Sequence, residues 1–188
     1  YFPLSGQNRR DRDTKIIEKE VTYKMKAGIL KDIKKGEYRV IATPTEVATL
    51  KGDGHEVYVQ RQAGAAAGFA DEAYAEAGAI LVDTAKEIYD TCDFVAKVKE
   101  FEPSEYDLLR EGQIVFTCIH PAAHPEEVQA LLDKKVIAFT AEDSHRYGSP
   151  NCEAAGKQGA LFGLESMLTI NGGKGKFVSG LGGAPGMN

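Results

Sequence analysis

Three consecutive pieces of the chain decide the fold: Ala79-Ile80-Leu81-Val82, then Thr84-Ala85-Lys86-Glu87-Ile88-Tyr89, then Phe94-Val95-Ala96-Lys97-Val98. The first and third are short runs of strand-forming residues, and the middle one is a helical stretch that opens on Thr84, a good N-cap. A strand, a capped helix and a second strand in so short a span is the repeating unit of a parallel sheet.

The same alternation extends outward from there. Ala27–Leu30, Tyr38–Ala42, Glu56–Gln60, Ile114–Ile119 and Val136–Thr140 read as further strands, most of them uniformly apolar, as strands buried on both faces should be. Helices fill the gaps. One starts at Thr43-Pro44-Thr45 and is stopped by Gly52 and Gly54; Asp71–Glu76 ends at Gly78; Ser104–Arg110 ends at Gly112; Pro125 opens Glu126–Leu132. The pattern predicts an α/β domain over residues 25–148, with a mostly parallel sheet flanked by helices, flavodoxin-like in style. Residues 1–24 read as a flexible leader, and the missing initiator Met suggests a processed, cloned or trimmed start. Residues 149–188 read as a connecting helix, about Cys152 to Leu168, and a glycine-rich linker containing one short strand, Phe177–Ser179. Ala155, Gly156, Gly159, Ala160 and Gly163 give that helix a small-residue face that invites close packing, so a homo-oligomer formed through it is expected.

Composition narrows the function. Of 188 residues, 43% are hydrophobic and 27% charged, enough for one ordinary core without staples. Charge or glycine interrupts every apolar run before it could span a membrane, and no secretory signal pattern opens the chain. Cys92, Cys118 and Cys152 form no CxxC pair, which argues against a disulfide framework or a zinc site and fits a reducing, cytoplasmic setting. Residues 1–24 hold six basic and four acidic side chains, against 17 and 24 in the remaining 164. The acidic body repels nucleic acid, and the one basic cluster, Arg9, Arg10 and Arg12, is diluted by Asp11 and Asp13.

In an open parallel sheet, ligands bind beyond the carboxyl ends of the strands. Lys99 follows one such strand, His120 another, and Arg39 lies after the first. An arginine can grip a carboxylate with two parallel hydrogen bonds, a lysine can polarise a carbonyl, and a histidine can exchange a proton near neutrality, a set that suits a small 2-keto or 2-amino acid. Position alone leaves a second reading open, with Arg39 and Lys99 as surface charges and His120 as a loop histidine. His124, four residues after His120, suggests a metal pair, but Pro121 and Pro125 break any helix between them. Gly172-Gly173-Lys174-Gly175-Lys176 lacks the spacing and the Ser/Thr of a phosphate loop, and no Gly-x-Gly-x-x-Gly stands between a strand and a helix.

A resemblance chooses between the two readings. Met25-Lys26-Ala27-Gly28-Ile29-Leu30-Lys31, Glu37-Tyr38-Arg39-Val40, Thr43-Pro44, Gly54-His55-Glu56-Val57, Val98-Lys99-Glu100, Phe116-Thr117-Cys118-Ile119-His120 and Gly182-Gly183-Ala184-Pro185-Gly186 run collinearly. Over residues 25–188 they resemble the amino-terminal part of the alanine dehydrogenase and transhydrogenase α-subunit family. The resemblance implies that Arg39 and Lys99 are ligands of the substrate carboxylate and carbonyl, that His120 is the catalytic acid/base, and that NAD is the cofactor. The transhydrogenase relatives typically lack this histidine, so its presence favours the dehydrogenase side. Cys118 stands where an aromatic is usual, and Cys152 where a serine near the cofactor is usual.

The function expected is thus the substrate-binding part of an NAD-dependent alanine dehydrogenase, which oxidatively deaminates L-alanine to pyruvate and ammonia. The chain alone is expected to be inactive, because the dinucleotide-binding domain lies outside it. A stand-alone small-molecule-binding domain of the same fold, a transhydrogenase subunit and a carboxyethyl-amino-acid synthase are the alternatives. Neither metal, membrane nor nucleic acid is an expected partner.

Overall fold

Two threonine capping boxes set two of the crossovers. Thr43 and Glu46 cap helix α1 (Pro44–Gly52), with Pro44 at its first position, and Thr84 and Glu87 cap α3 (Ala85–Thr91). In each, the threonine oxygen accepts a backbone N–H of the first turn and the glutamate accepts the cap N–H, so two donors at the helix start are satisfied by side chains.

The computed structural model describes residues 23–142, 144 and 150–173. The remaining elements are β1 (Lys26–Ile29), β2 (Glu56–Gln60), α2 (Asp71–Glu76), β3 (Ile80–Val82), β4 (Phe94–Ala96), β5 (Ile114–Thr117), α4 (Pro125–Asp133), β6 (Ile137–Thr140) and α5 (Pro150–Glu165). All six strands are parallel, in the order β3-β2-β1-β4-β5-β6. The helix-flanked parallel sheet matches the fold class read from the sequence. The order refines that reading: it is the doubly wound 3-2-1-4-5-6 arrangement, whose direction reverses between β1 and β4.

Strand alternation divides the core between the two faces. Leu30, Ile88, Tyr89, Cys92, Val95, Val115 and Leu131 pack on one side, and Ile29, Val47, Val57, Val59, Tyr74 and Ala96 on the other. Val47, Val57, Val59, Val95 and Val115 are fully buried, each worth about 1.5–3 kcal/mol relative to exposure. The edge departs from the expectation of strands buried on both faces: Ile137 and Phe139 of β6 are exposed.

Three local expectations are corrected. Tyr38–Ala42 forms no strand, because β1 is already paired on both sides by β2 and β4; the segment instead crosses the carboxyl end of the sheet, and the Tyr74 hydroxyl donates to the Ala42 carbonyl at 2.9 Å. Ser104–Arg110 contains only a 3₁₀ turn, Tyr106–Leu108. The last long helix starts at Pro150 rather than Cys152 and ends at Glu165, followed by a 3₁₀ turn at Thr169–Asn171. Phe177–Ser179 and most of the leader lie outside the described residues.

The loop after β4 is built on buried charge. Lys97 is inaccessible to water, and its Nζ lies 2.6 Å from Glu105 Oε2 and 5.5 Å from the centroid of the Phe101 ring. Glu105 also accepts the Tyr89 hydroxyl at 3.0 Å and the Glu102 N–H at 2.9 Å. On the other side of the loop, buried Glu127 in the first turn of α4 accepts the Phe101 N–H at 2.7 Å, while its second oxygen has no partner.

Gly28 of β1 faces α3. A Cβ there would collide with Ile88 Cγ2 and come within 3.0 Å of Cys92 Sγ. Gly28→Ala should therefore lower stability by about 1–3 kcal/mol through overpacking, read as an earlier denaturant midpoint at unchanged slope. Desolvation raises the Glu127 carboxyl from its ordinary 4.5 to about 7. Across that window the unfolded chain releases a proton that the native state keeps, so native stability falls as pH rises, and the loss is complete above it. Glu127→Gln, neutral throughout, should abolish this component. Urea midpoints measured from about pH 4 to about pH 8 should fall less steeply in the variant, and parallel curves would show that Glu127 is not the group responsible.

Candidate functional site

The carboxyl ends of β1, β4, β5 and β6 converge, and each contributes one part of the site. Asp32, three residues after β1, bridges two loops: one oxygen accepts the Lys34 N–H and the other the Lys99 N–H, both at 2.9 Å. The Lys99 carbonyl accepts the Thr117 hydroxyl at 2.6 Å. The backbone of Lys99 is thus fixed on both sides, while its side chain makes no ion pair among the described residues.

His120 follows β5 with φ of 48°, in the left-handed region that non-glycine residues seldom occupy. Glu142, two residues beyond β6, holds it there by accepting the N–H groups of Ile119 at 3.3 Å and His120 at 3.1 Å. The imidazole is bracketed by carboxylates, with Nε2 3.2 Å from Glu142 Oε1 and Nδ1 3.7 Å from Glu100 Oε2. The cationic pair expected beside His120 is therefore not what touches it. Glu100, 3% exposed, also meets Lys34 and lies 3.3 Å from His124 Nε2. The turn after His120, closed by hydrogen bonds from the N–H groups of Ala123 and His124 to the His120 carbonyl, brings the two histidines to one carboxylate without a helix. No group of three or more His, Cys, Asp or Glu among the described residues could hold a metal ion.

Arg39 lines a separate part of the same end of the sheet. Its Nε and Nη2 donate to the two oxygens of Glu37 at 2.8 and 2.6 Å, and Nη1 donates to Asn151 Oδ1 of α5 at 2.9 Å. This bidentate contact holds the Glu37 carboxyl at about 2, well below the usual carboxylate range, so the pair stays ionised. A cleft of about 250 Å³ opens beside it, bounded by Val98, Phe116, Ala141 and Ser144. Cys118 is nearly buried, and burial pushes its thiol up despite the opposing charges of Lys99 and Arg39. Cys152 is exposed in the first turn of α5.

The sequence reading did not single out Glu37, Glu100, Glu142 or Asn151. The Glu-x-Arg spacing of Glu37 and Arg39 could have suggested the first, and Glu100 stands next to Lys99; Glu142, beyond β6, and Asn151, in the first turn of α5, approach from far away in sequence with no local signal. The turn after β1, where a sheet of this order can carry a glycine-rich phosphate loop, reads Leu30-Lys31-Asp32-Ile33 and is filled by the Asp32 bridge. The described residues form no dinucleotide phosphate cradle.

Residues 28–151 match the family described as "Alanine dehydrogenase/PNT, N-terminal domain". The alanine dehydrogenase of Methanococcus maripaludis is 41% identical over 169 residues, covering 87% of this chain and 44% of that protein. That of Bacillus subtilis (strain 168) is 40% identical over 159 residues, covering 82% and 42%. Among solved structures, an L-alanine dehydrogenase superposes with a TM-score of 0.76 at 37% identity, covering 86% of this chain and 46% of its own. A transhydrogenase from Sinorhizobium meliloti superposes at 0.61 with 27% identity, covering 64% and 36%. The chain spans less than half the length of the curated relatives it matches. With its all-parallel sheet and its collinear blocks, this chain belongs to the alanine dehydrogenase/PNT N-terminal domain family.

Proposed function

We propose that this protein is the substrate-binding portion of an NAD-dependent alanine dehydrogenase that converts L-alanine to pyruvate and ammonia. The observation that carries this reading is that Lys99 and His120 follow the neighbouring strands β4 and β5 with their backbones held by Asp32, Thr117 and Glu142, while Arg39 lines a cleft at the same end of the sheet, in a chain of this family. In it, residues 25–148 bind substrate and residues 149–188 connect to the rest of the enzyme.

Arg39 receives the substrate carboxylate on the N–H groups that Glu37 and Asn151 leave over. Lys99, its main chain held by Asp32 and Thr117, meets the carbonyl of pyruvate or the matching position of alanine. His120 moves the proton, its ring oriented by Glu142 and Glu100. Rate enhancement then comes from positioning and from charge placed where the carbonyl develops. NAD, the family's hydride acceptor, is held elsewhere; Cys152 is the residue this chain offers toward it. The acidic body and the absence, among the described residues, of any helix long and apolar enough to cross a membrane support a small-molecule partner in the cytoplasm.

In the product of the complete reading frame, Arg39→Ala and Lys99→Ala should each lower kcat/KM for pyruvate by about 2–5 kcal/mol of transition-state binding and leave NAD affinity unchanged. Equal losses for both ligands would assign these residues to the fold. His120→Asn keeps a polar side chain but removes the proton carrier, so kcat should collapse while pyruvate still binds; wild-type turnover would remove His120 from the chemistry. The 188 residues alone should bind pyruvate without NAD-dependent turnover, and saturable turnover would overturn that.

We also infer that a second copy pairs along α5. Leu161, Phe162 and Leu164 are exposed there, and a Cβ built on Gly156, Gly159 or Gly163 would meet nothing within 4 Å. Sedimentation should show self-association that Gly159→Glu removes, and a strict monomer at high concentration would exclude it.

A further inference from the structure

We propose that Asn151 is a second ligand of the substrate carboxylate, acting as one unit with Arg39; this rests on the substrate site proposed above. Arg39 by itself is a poor anion site. A guanidinium has five N–H donors, and here Nε and Nη2 already grip both oxygens of Glu37, a carboxylate that stays charged. The pair presents little net positive charge to an incoming carboxylate, and one N–H on each of Nη1 and Nη2 is what remains to bind it. A further donor is needed close by.

Asn151 supplies that donor. The orientation of its carboxamide is forced, because a guanidinium only donates: the oxygen must be the atom that faces Nη1, at 2.9 Å. Oδ1 and Nδ2 belong to one small planar group, so fastening the oxygen to Arg39 also fixes where the NH₂ group donates. Among the described residues its hydrogen-bond partner is Cys118 Sγ at 4.0 Å, a weak sulfur acceptor at the limit of hydrogen bonding. Asn151 lines the cleft together with Arg39, so its Nδ2 brings there a donor whose hydrogen-bonding capacity is largely unused among the described residues. Val98, Phe116 and Ala141 also line the cleft, and the hydroxyl of Ser144 is already donated to the Ala141 carbonyl at 2.6 Å.

A carboxylate bridging the spare edge of Arg39 and the Asn151 NH₂ would satisfy both donors and replace the weak contact to sulfur. The apolar walls would then take a short hydrocarbon side chain. The ligand class is a small 2-oxo or 2-amino monocarboxylate with an apolar side chain, which the described walls Val98, Phe116 and Ala141 suit. The contact also spans 112 positions, from the loop after β1 to the first turn of α5, so ligand binding there draws α5 and the sheet together.

The test is pyruvate binding to the 188-residue protein, followed by ¹H–¹⁵N NMR. Pyruvate should shift the Asn151 side-chain NH₂ resonances together with the Arg39 Nε–H signal. Asn151→Ala should weaken pyruvate binding about tenfold, the loss of one charge-assisted contact. Asn151→Asp should weaken it further by placing a second carboxylate on Arg39, and pyruvamide, which has no carboxylate, should bind wild type and Asn151→Ala alike. If pyruvate binds and shifts Arg39 but Asn151→Ala binds it as well as wild type, the Asn151 assignment fails and the Arg39 site stands. If pyruvate shifts neither residue, both fail. Because Asn151 is exposed, the variants should melt with wild type, and the NH₂ shift in the unaltered protein reads the contact without any substitution.

Discussion

A buried ammonium survives only where a carboxylate is held against it, and Lys97 imposes that demand at the end of the central strand β4. Glu105 meets it from the far end of the same loop, and Tyr89 and the Glu102 N–H use the remaining capacity of Glu105. The loop between them can close in few ways once that pair is formed. Lys99 and Glu100 lie inside it, so the position of a candidate substrate ligand and of the carboxylate facing His120 both follow from an ion pair that touches neither. Glu127 completes the frame from α4 by holding the Phe101 N–H.

Carboxylates, more than cations, organise the active end of the sheet. Glu37 orients Arg39, Asp32 fixes the Lys99 backbone, Glu142 holds His120 in an unusual backbone conformation, and Glu100 joins Lys34 to both histidines. Arg39 and His120 are thus each steered by carboxylates that the sequence reading did not single out, whereas Lys99 is fixed at its backbone alone. The physical logic is common to sites for small anions: an unrestrained arginine or lysine samples many rotamers, and a fixed carboxylate removes that freedom before the ligand arrives.

In a doubly wound sheet of this order the switch point lies between β1 and β4, the usual place for a ligand. Here the turn after β1 is taken up by Asp32 and by the crossing segment that carries Arg39. Among the described residues the switch point therefore has no glycine-lined turn, and Asp32 ties its two loops together instead.

The sequence by itself determined the alternation of strands and capped helices, the parallel sheet and the family, because these rest on local periodicity, on the threonine caps at Thr43 and Thr84 and on collinear blocks. It also identified Arg39, Lys99 and His120 as candidates, Lys99 and His120 because residues just past strand ends can be read along the chain, and all three through the collinear blocks. Tertiary structure decided the rest. Tyr38–Ala42 has strand-like composition but no free strand to pair with, a fact visible only once β1 is seen between β2 and β4. Glu100, Glu142 and Asn151 carry no local signature, because a carboxylate or carboxamide looks the same in sequence whether it faces water, a histidine or an arginine. Their roles depend on which strand ends are neighbours, and that is set by the packing of the whole sheet.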